Sequence, residues 1–321
     1  MEQNAPVPNQ REVPVEEQQR FARPYGPATL TPPPMPQTRP RRRRRGAHWL
    51  LWPLGVALGL ALVALLACAL VGGLVIGIAF KLANEVSATA TTTQTYAVSG
   101  VPTLDIHNVA GRVQVQQGVP GVVTIEITKV ARDTSQSAAQ ADLDKIAVNI
   151  TQSGDQLTLT TDFADDGVFA SSSAVNMLIS APPATNITAD VTAGDIQVND
   201  ISGMMELTTG AGSASLSGVT LGDGSRITVA TGSATVSGAI APGASVDIAV
   251  STGDVRLRLP ADIQAQLDAR ANIGSITVVG WPIQTARLNR VGATASGPLG
   301  DSPNANIHIR VDTGDITISQ Q

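Results

Sequence analysis

The chain has 321 residues, of which 43% are hydrophobic, 15% charged and only 3% aromatic, with one cysteine and three histidines. These counts exclude a disulfide framework and a cysteine-rich zinc site, and they disfavour an active site lined by bulky aromatic side chains. The net charge of −5 is unevenly distributed: +5 over residues 1–48, zero over residues 49–80 and −10 over residues 81–321. The charge pattern therefore predicts three parts.

Residues 1–48 are predicted to form a disordered Pro/Arg-rich cytoplasmic tail. Ten prolines precede residue 45 and periodic apolar residues are almost absent, so the segment cannot bury enough surface to offset its ordering entropy. We expect a solvated spacer. A docking segment for a partner that reads proline-rich ligands is the alternative.

Residues 49–80 carry no charged side chain and predict a transmembrane helix, because they exceed the roughly 20 residues that span a bilayer. A run of arginines comes directly before this segment. By the positive-inside rule the run places the N-terminus in the cytoplasm and the C-terminal domain outside. The membrane-orienting residues are Arg41, Arg42, Arg43, Arg44 and Arg45. A nucleic-acid patch is the alternative for such a run, but its position beside the apolar segment favours the lipid bilayer as partner.

The apolar segment is nearly twice as long as the core of a secretory signal peptide, so we expect an uncleaved anchor in the cell membrane. Two GxxxG spacings, Gly55/Gly59 and Gly73/Gly77, would allow a homodimer through this helix. Residues 81–97 are rich in Ser, Thr and Ala and are expected to form a stalk.

Residues 98–184 show apolar residues at every second position in short runs bounded by Gly or Pro-Gly, the pattern of half-buried strands in hairpins. They predict an antiparallel β subdomain. Its one short helix would run from Thr134 to Asp144, with Thr134 as the N-cap.

Residues 185–321 contain six copies of one pattern: glycine, a short polar residue, then alternating apolar residues. The aligned glycines recur at a nearly constant interval, except that the last interval is about twice as long as the others. The structural turn positions are Gly194 and Asp195, Gly212 and Ser213, Gly232 and Ser233, Gly253 and Asp254, Gly274 and Ser275, and Gly314 and Asp315.

One repeat cannot bury its apolar side alone, whereas stacked repeats create a continuous core. The sequence therefore predicts an all-β domain, a β-solenoid or β-roll-like stack of rungs of about 20 residues, with an antiparallel sandwich as second choice. After a looped excursion from Trp281 to about Asn304, the final copy is expected to close the stack.

Chemistry at the turns finds little support in the sequence. Calcium between aspartate turns is disfavoured because Ser takes the place of Asp in half of the copies and the nonapeptide Gly-Gly-x-Gly-x-Asp pattern is absent. Motifs for nucleophilic catalysis, zinc peptidases and phosphate loops are also absent. We therefore predict no catalytic, metal or cofactor-binding residues and no cofactor. Asp165-Asp166 with the turn aspartates leaves a carbohydrate-active enzyme as the least favoured alternative.

The outer region resembles the bacterial putative-adhesin family of β-strand-repeat domains, a domain of unknown function. The resemblance lies in the Thr-Gly-Asp/Ser rungs from Thr192 to Leu257 and in the ending, Gly292 to Gly300 followed by Ile307 to Ile316. It covers about residues 98–321. It implies an envelope-exposed β-repeat domain, often beside a membrane helix, without established catalytic residues.

Together these patterns predict a single-pass surface protein that acts by binding an extracytoplasmic ligand or envelope component, or as an envelope structural element. The alternative is an envelope sensor that signals through the cytoplasmic tail. No nucleic-acid partner is expected.

Overall fold

A computed structural model describes residues 86–163, 173–288 and 290–321, which form 22 strands and one helix. The predicted tail, the predicted membrane span at 49–80 and the arginines at 41–45 lie outside these ranges. Within them, no helix has the length and apolar character that a membrane crossing requires.

The elements follow one another closely along the chain. They are β1 (Val86–Ala97), β2 (Thr103–Ala110), β3 (Val113–Gln117), β4 (Val122–Asp133), α1 (Gln136–Asp144), β5 (Ile146–Ser153), β6 (Gln156–Phe163), β7 (Ser173–Ala181), β8 (Asn186–Ala193), β9 (Ile196–Asn199), β10 (Ser202–Gly203), β11 (Met205–Ala211), β12 (Ala214–Leu221), β13 (Ser225–Thr231), β14 (Ala234–Ile240), β15 (Ser245–Thr252), β16 (Val255–Leu259), β17 (Ala265–Ile273), β18 (Ile276–Val279), β19 (Thr285–Leu288), β20 (Gly292–Leu299), β21 (Ala305–Thr313) and β22 (Ile316–Gln320).

The strands form two sheets of eleven. Sheet 1 has the order β1-β4-β7-β3-β9-β12-β14-β16-β22-β18, with β10 beside β12. Sheet 2 has the order β19-β20-β17-β21-β15-β13-β11-β8-β2-β6-β5. From β11 to β18 the chain alternates between the sheets, so each repeat supplies one strand to each sheet.

We call such a pair of strands a rung. Neighbouring rungs pair in parallel and nearly in register, as in β11 with β13 and β12 with β14. Every second residue of a strand points between the sheets, for example Ile227 and Val229 on β13, which are both fully buried. The inward residues of both sheets form one continuous core of Val, Ile, Leu and Ala. Parallel stacking confirms the predicted solenoid-like arrangement over the antiparallel sandwich.

The region expected to be an antiparallel subdomain is only partly antiparallel. Strands β1, β4 and β5 pair antiparallel with their neighbours, but β2 and β3 pair in parallel with β8 and β9 of the repeat region. β6 and β7 add a further parallel rung outside them. The prediction was wrong here because the antiparallel pairs all involve β1, β4 or β5, and β4, α1 and β5 are inserted in the chain between two parallel rungs.

Two smaller expectations also change. The Ser/Thr/Ala segment expected as a stalk is strand β1 from Val86 onward, which pairs along its full length with β4. The helix begins at Gln136, and its N-cap is Ser135 rather than Thr134. The Ser135 hydroxyl accepts from the backbone N–H of Ala138 at 3.2 Å, as a capping residue should.

The final rung does not close the stack. Strand β21 lies between β15 and β17, and β22 lies between β16 and β18, so the last rung is inserted before the one that precedes it in the chain. The far edge of β17 is occupied by β20, which runs antiparallel to it and carries β19 on its outer edge. The excursion expected as a loop is this β19–β20 hairpin.

We expect the inserted strand to be critical for stability. Ile309 on β21 is fully buried, whereas Ile273 at the end of β17 is half exposed. Ile309→Ala should lower the free energy of unfolding by about 3 kcal/mol through lost burial and a cavity. Ile273→Ala, the matched control, should change it by about 0.5 kcal/mol or less. Urea titration measures both, and equal losses would contradict the burial of β21 between two strands.

Candidate functional site

The predicted turn glycines are brought together in one column. Each has a φ between 135° and 150°, which side chains rarely adopt. A Cβ on Gly212 would overlap the carbonyl oxygen of Gly194, and the same holds at each step of the column. The order through the stack is Gly111, Gly194, Gly212, Gly232, Gly253, Gly314 and Gly274. The glycines therefore set how closely the rungs approach.

Gly111 belongs to this column but was missed in the sequence. It begins Gly111-Arg112-Val113-Gln114-Val115, which matches Gly194-Asp195-Ile196-Gln197-Val198 in all but the second residue and one Val-for-Ile exchange. The two segments lie far outside the repeat period from one another, because β4 to β7 intervene. The motif alone, without the repeat spacing, is therefore enough to identify Gly111 as a corner glycine.

The short polar residue after each glycine lies in a second column. Its side chain bonds a neighbouring rung: Asp195 Oδ1 accepts from the Ser213 N–H at 3.0 Å, and Asp254 Oδ1 accepts from the Asp315 N–H at 3.0 Å. Asp315 Oδ1 accepts from both the N–H and the hydroxyl of Ser275 at 2.8 Å. The bonds between neighbouring rungs in this column are therefore made by its three aspartates, and Ser275 adds a hydroxyl donor to one of them. In the described ranges no three His, Cys, Asp or Glu residues approach closely enough to hold a metal ion.

The outward face of sheet 1 is dominated by uncharged polar side chains. One in-register row across β3, β9, β12 and β14 consists of Gln114, Gln197, Ser215 and Thr235. At the β3–β7 end this face holds a cleft of about 480 Å³ beside Arg112, Glu126, Asn176 and Asp195. The Arg112 guanidinium lies 3.9 Å from the Asp195 carboxylate. This face offers hydrogen-bonding groups at the strand spacing of about 4.8 Å.

The outward face of sheet 2 is charged. Arg226 lies 3.6 Å from Asp247, and His107 lies 3.1 Å from Asp105. Toward β17 and β21 this face contains a second cleft, of about 440 Å³. Its polar lining residues are Asp268, Arg270, Asn272, Thr294, His308, Arg310 and Asp312.

Repeated glycine-cornered rungs, stacked in parallel between two polar sheet faces, define a β-solenoid-like repeat domain. The chain belongs to the Toastrack DUF4097 family, whose model matches residues 101–319. This membership confirms the resemblance seen in the sequence.

Several solved structures are similar to this chain. A putative cell adhesion protein from Clostridium sporogenes is 13% identical, with 72% of this chain and 100% of that chain covered at a TM-score of 0.44. A putative adhesin from Bacteroides fragilis is 16% identical, with 72% and 97% covered at a TM-score of 0.34. A putative lipid binding protein from Parabacteroides distasonis is 12% identical, with 71% and 96% covered at a TM-score of 0.25. No curated protein matches the chain.

Substituting a column glycine should separate close approach from backbone strain. Gly224 also has a positive φ, 78°, but no atom lies within 4 Å of where its Cβ would be. Gly224→Ala should therefore cost only the conformational strain, about 1 kcal/mol. Gly232→Ala should cost at least about 3 kcal/mol, because Gly212 blocks the methyl group. Midpoints of urea unfolding measure the loss of stability in each variant. Equal losses would contradict the close approach of the Gly212 backbone to Gly232.

The carboxylate of Asp315 should make the last rungs sensitive to acid. Its pKa lies below the usual range because the backbone N–H and then the hydroxyl of Ser275 donate to it. A lowered native pKa gives stability that is present above the unfolded value, about 3.9, and is lost as the pH falls through the native value. Asp315→Asn should flatten this acid loss. Urea midpoints measured down the pH scale test it, and an unchanged slope would contradict it.

Proposed function

We propose that this chain is a single-pass membrane protein that displays its Toastrack domain outside the cell, where the domain binds or serves as an envelope structural element. The observation that carries the role is the arrangement of the stack. Nearly all large apolar side chains of the described strands lie between the sheets, which leaves two broad outward faces of regularly spaced polar groups. Such faces suit recognition at a surface, where polar groups on a rigid scaffold set specificity.

The membrane anchor is supported by the sequence. Residues 49–80 lack charge, and the arginines at 41–45 precede them immediately. The segment after them is strongly acidic, with a net charge of −10 over residues 81–321. Arginines directly before an apolar span match an N-terminus held in the cytoplasm, and the acidic residues beyond the span add little to this orientation.

Cysteine labelling on intact cells tests this orientation. In a Cys68→Ser background, Val119→Cys places a thiol at a side chain that is 70% exposed in the described domain. Ala28→Cys is the matched control in the tail. We expect a membrane-impermeant maleimide to label position 119 directly and position 28 only after permeabilisation. The reverse pattern, or labelling of neither position before permeabilisation, would refute the proposed topology.

The asymmetry of the chain favours one alternative, an envelope sensor that signals through its tail. Ten prolines and nine arginines precede the apolar segment, a composition that could dock a cytoplasmic partner. Deletion of residues 1–38 separates the two roles. A display or structural module keeps all of its surface function, whereas a sensor loses its output while the outer domain remains folded and exposed.

A further inference from the structure

Two arginines face each other on neighbouring strands in the cleft on sheet 2. Arg270 of β17 and Arg310 of β21 are partners in the parallel register, so their side chains leave the same face side by side. Both are exposed. Strands in a sheet lie about 4.8 Å apart, and like charges placed directly opposite one another destabilise the pair.

The other basic side chains on this face have carboxylate partners. Arg226 pairs with Asp247 at 3.6 Å, and His308 lies 4.0 Å from Asp268. By contrast, neither Arg270 nor Arg310 forms an ion pair with any residue that the structure describes. Arg270 uses only its Nε, which donates to the side-chain oxygen of Asn272 at 2.9 Å. The remaining guanidinium donors of the pair are available.

The carboxylates that border the cleft are already engaged. Asp268 lies beside His308, and Asp312 accepts from the Asn272 amide at 2.8 Å. Asn272 therefore connects Asp312 to Arg270 and helps to fix the Arg270 side chain. On the other side, Thr294 of β20 is the register partner of Arg270 and adds a hydroxyl to the lining.

We propose that Arg270 and Arg310 form a binding site for a single phosphate or sulfate group on a small molecule. Two arginines on neighbouring strands bring several N–H donors to one cleft, and guanidinium donors match the oxygens of a tetrahedral oxyanion. A bound oxyanion would also relieve the repulsion between the two arginines. Binding an anion is therefore electrostatically favourable for this pair. The other basic side chains of this face already have carboxylate partners and gain less from an anion.

The charge around the site limits the ligand. The domain carries an excess of acidic residues, and Asp268 and Asp312 flank the pair. A polyanion or an anionic membrane surface would be repelled by this field, whereas one compact oxyanion meets chiefly the two arginines. This site is a property distinct from surface display. The two arginines would bind an oxyanion in whichever compartment the domain lies.

Isothermal titration of the full chain with inorganic phosphate, and separately with sulfate, tests the site. The chain is kept in an uncharged detergent at neutral pH and low ionic strength. We expect one saturable site per chain that weakens as sodium chloride is added, because the site is exposed. Arg310→Gln and Arg270→Gln should each weaken binding by about tenfold or more. Arg226→Gln, which removes an arginine paired with Asp247 on the same face, should leave binding unchanged.

A variant that is expected to bind phosphate more tightly distinguishes loss of the site from loss of folding. Asp268→Asn removes a flanking negative charge and should tighten phosphate binding severalfold. Circular dichroism confirms the β fold of each variant. Absence of saturable binding by the parent chain, equal weakening by Arg226→Gln, or no tightening by Asp268→Asn would each overturn the proposal.

A vesicle arm distinguishes the source of the oxyanion. The phosphate of a soluble monoester should compete with inorganic phosphate for the site. Vesicles of phosphatidylcholine with phosphatidic acid should compete no better than phosphatidylcholine alone. Competition by phosphatidic acid that Arg310→Gln abolishes would refute the small-molecule form of the proposal and assign the site to a lipid headgroup. Neither result bears on the maleimide test of orientation.

Discussion

The close backbone approach at the glycine column is the constraint on which the whole domain depends. At each corner the carbonyl of one glycine lies where the next glycine would carry a Cβ, so the rungs can follow the strand spacing around the turn. The adjoining Asp195 and Asp315 side chains accept hydrogen bonds from backbone N–H groups of the next rung. Because these corners bring both sheets into register at once, the apolar side chains between the sheets meet as continuous rows.

The repeat region could be predicted from sequence because its signal is local. Each rung is marked by a glycine and a short polar residue at its corner, followed by a strand whose alternating apolar residues show the inward side. The corner at Gly212, for example, lies in the glycine column as the pattern predicts. Which rungs lie next to each other could not be predicted in this way. A periodic pattern gives the length of a rung but not its position in the stack. β2–β3 is therefore flanked by β6–β7 and β8–β9, an order that no repeat period contains.

The cleft arginines show the same limit at the level of a site. Arg270 and Arg310 are distant from each other in the sequence, and no motif joins them. They become neighbours because β21 pairs with β17, which is the pairing that the sequence did not reveal. Outward-facing residues are free to vary because the core and the corners carry the fold. One scaffold can therefore present a face dominated by uncharged polar side chains on sheet 1 and a charged face on sheet 2 without a change in its architecture.

The inserted rung also bears on how the chain reaches its folded state. Strands β15 and β17 hold the two sides of a slot that only β21 fills, and β16 and β18 hold a matching slot for β22. Strands β21 and β22 therefore fill one gap in each of the two sheets. Until it arrives, four unpaired parallel edges stand open and can pair with another chain. A polypeptide synthesised from its N-terminus therefore exposes these edges to other chains until β21 and β22 have formed, and deletion of residues 305–321 would leave both slots empty in an otherwise complete stack.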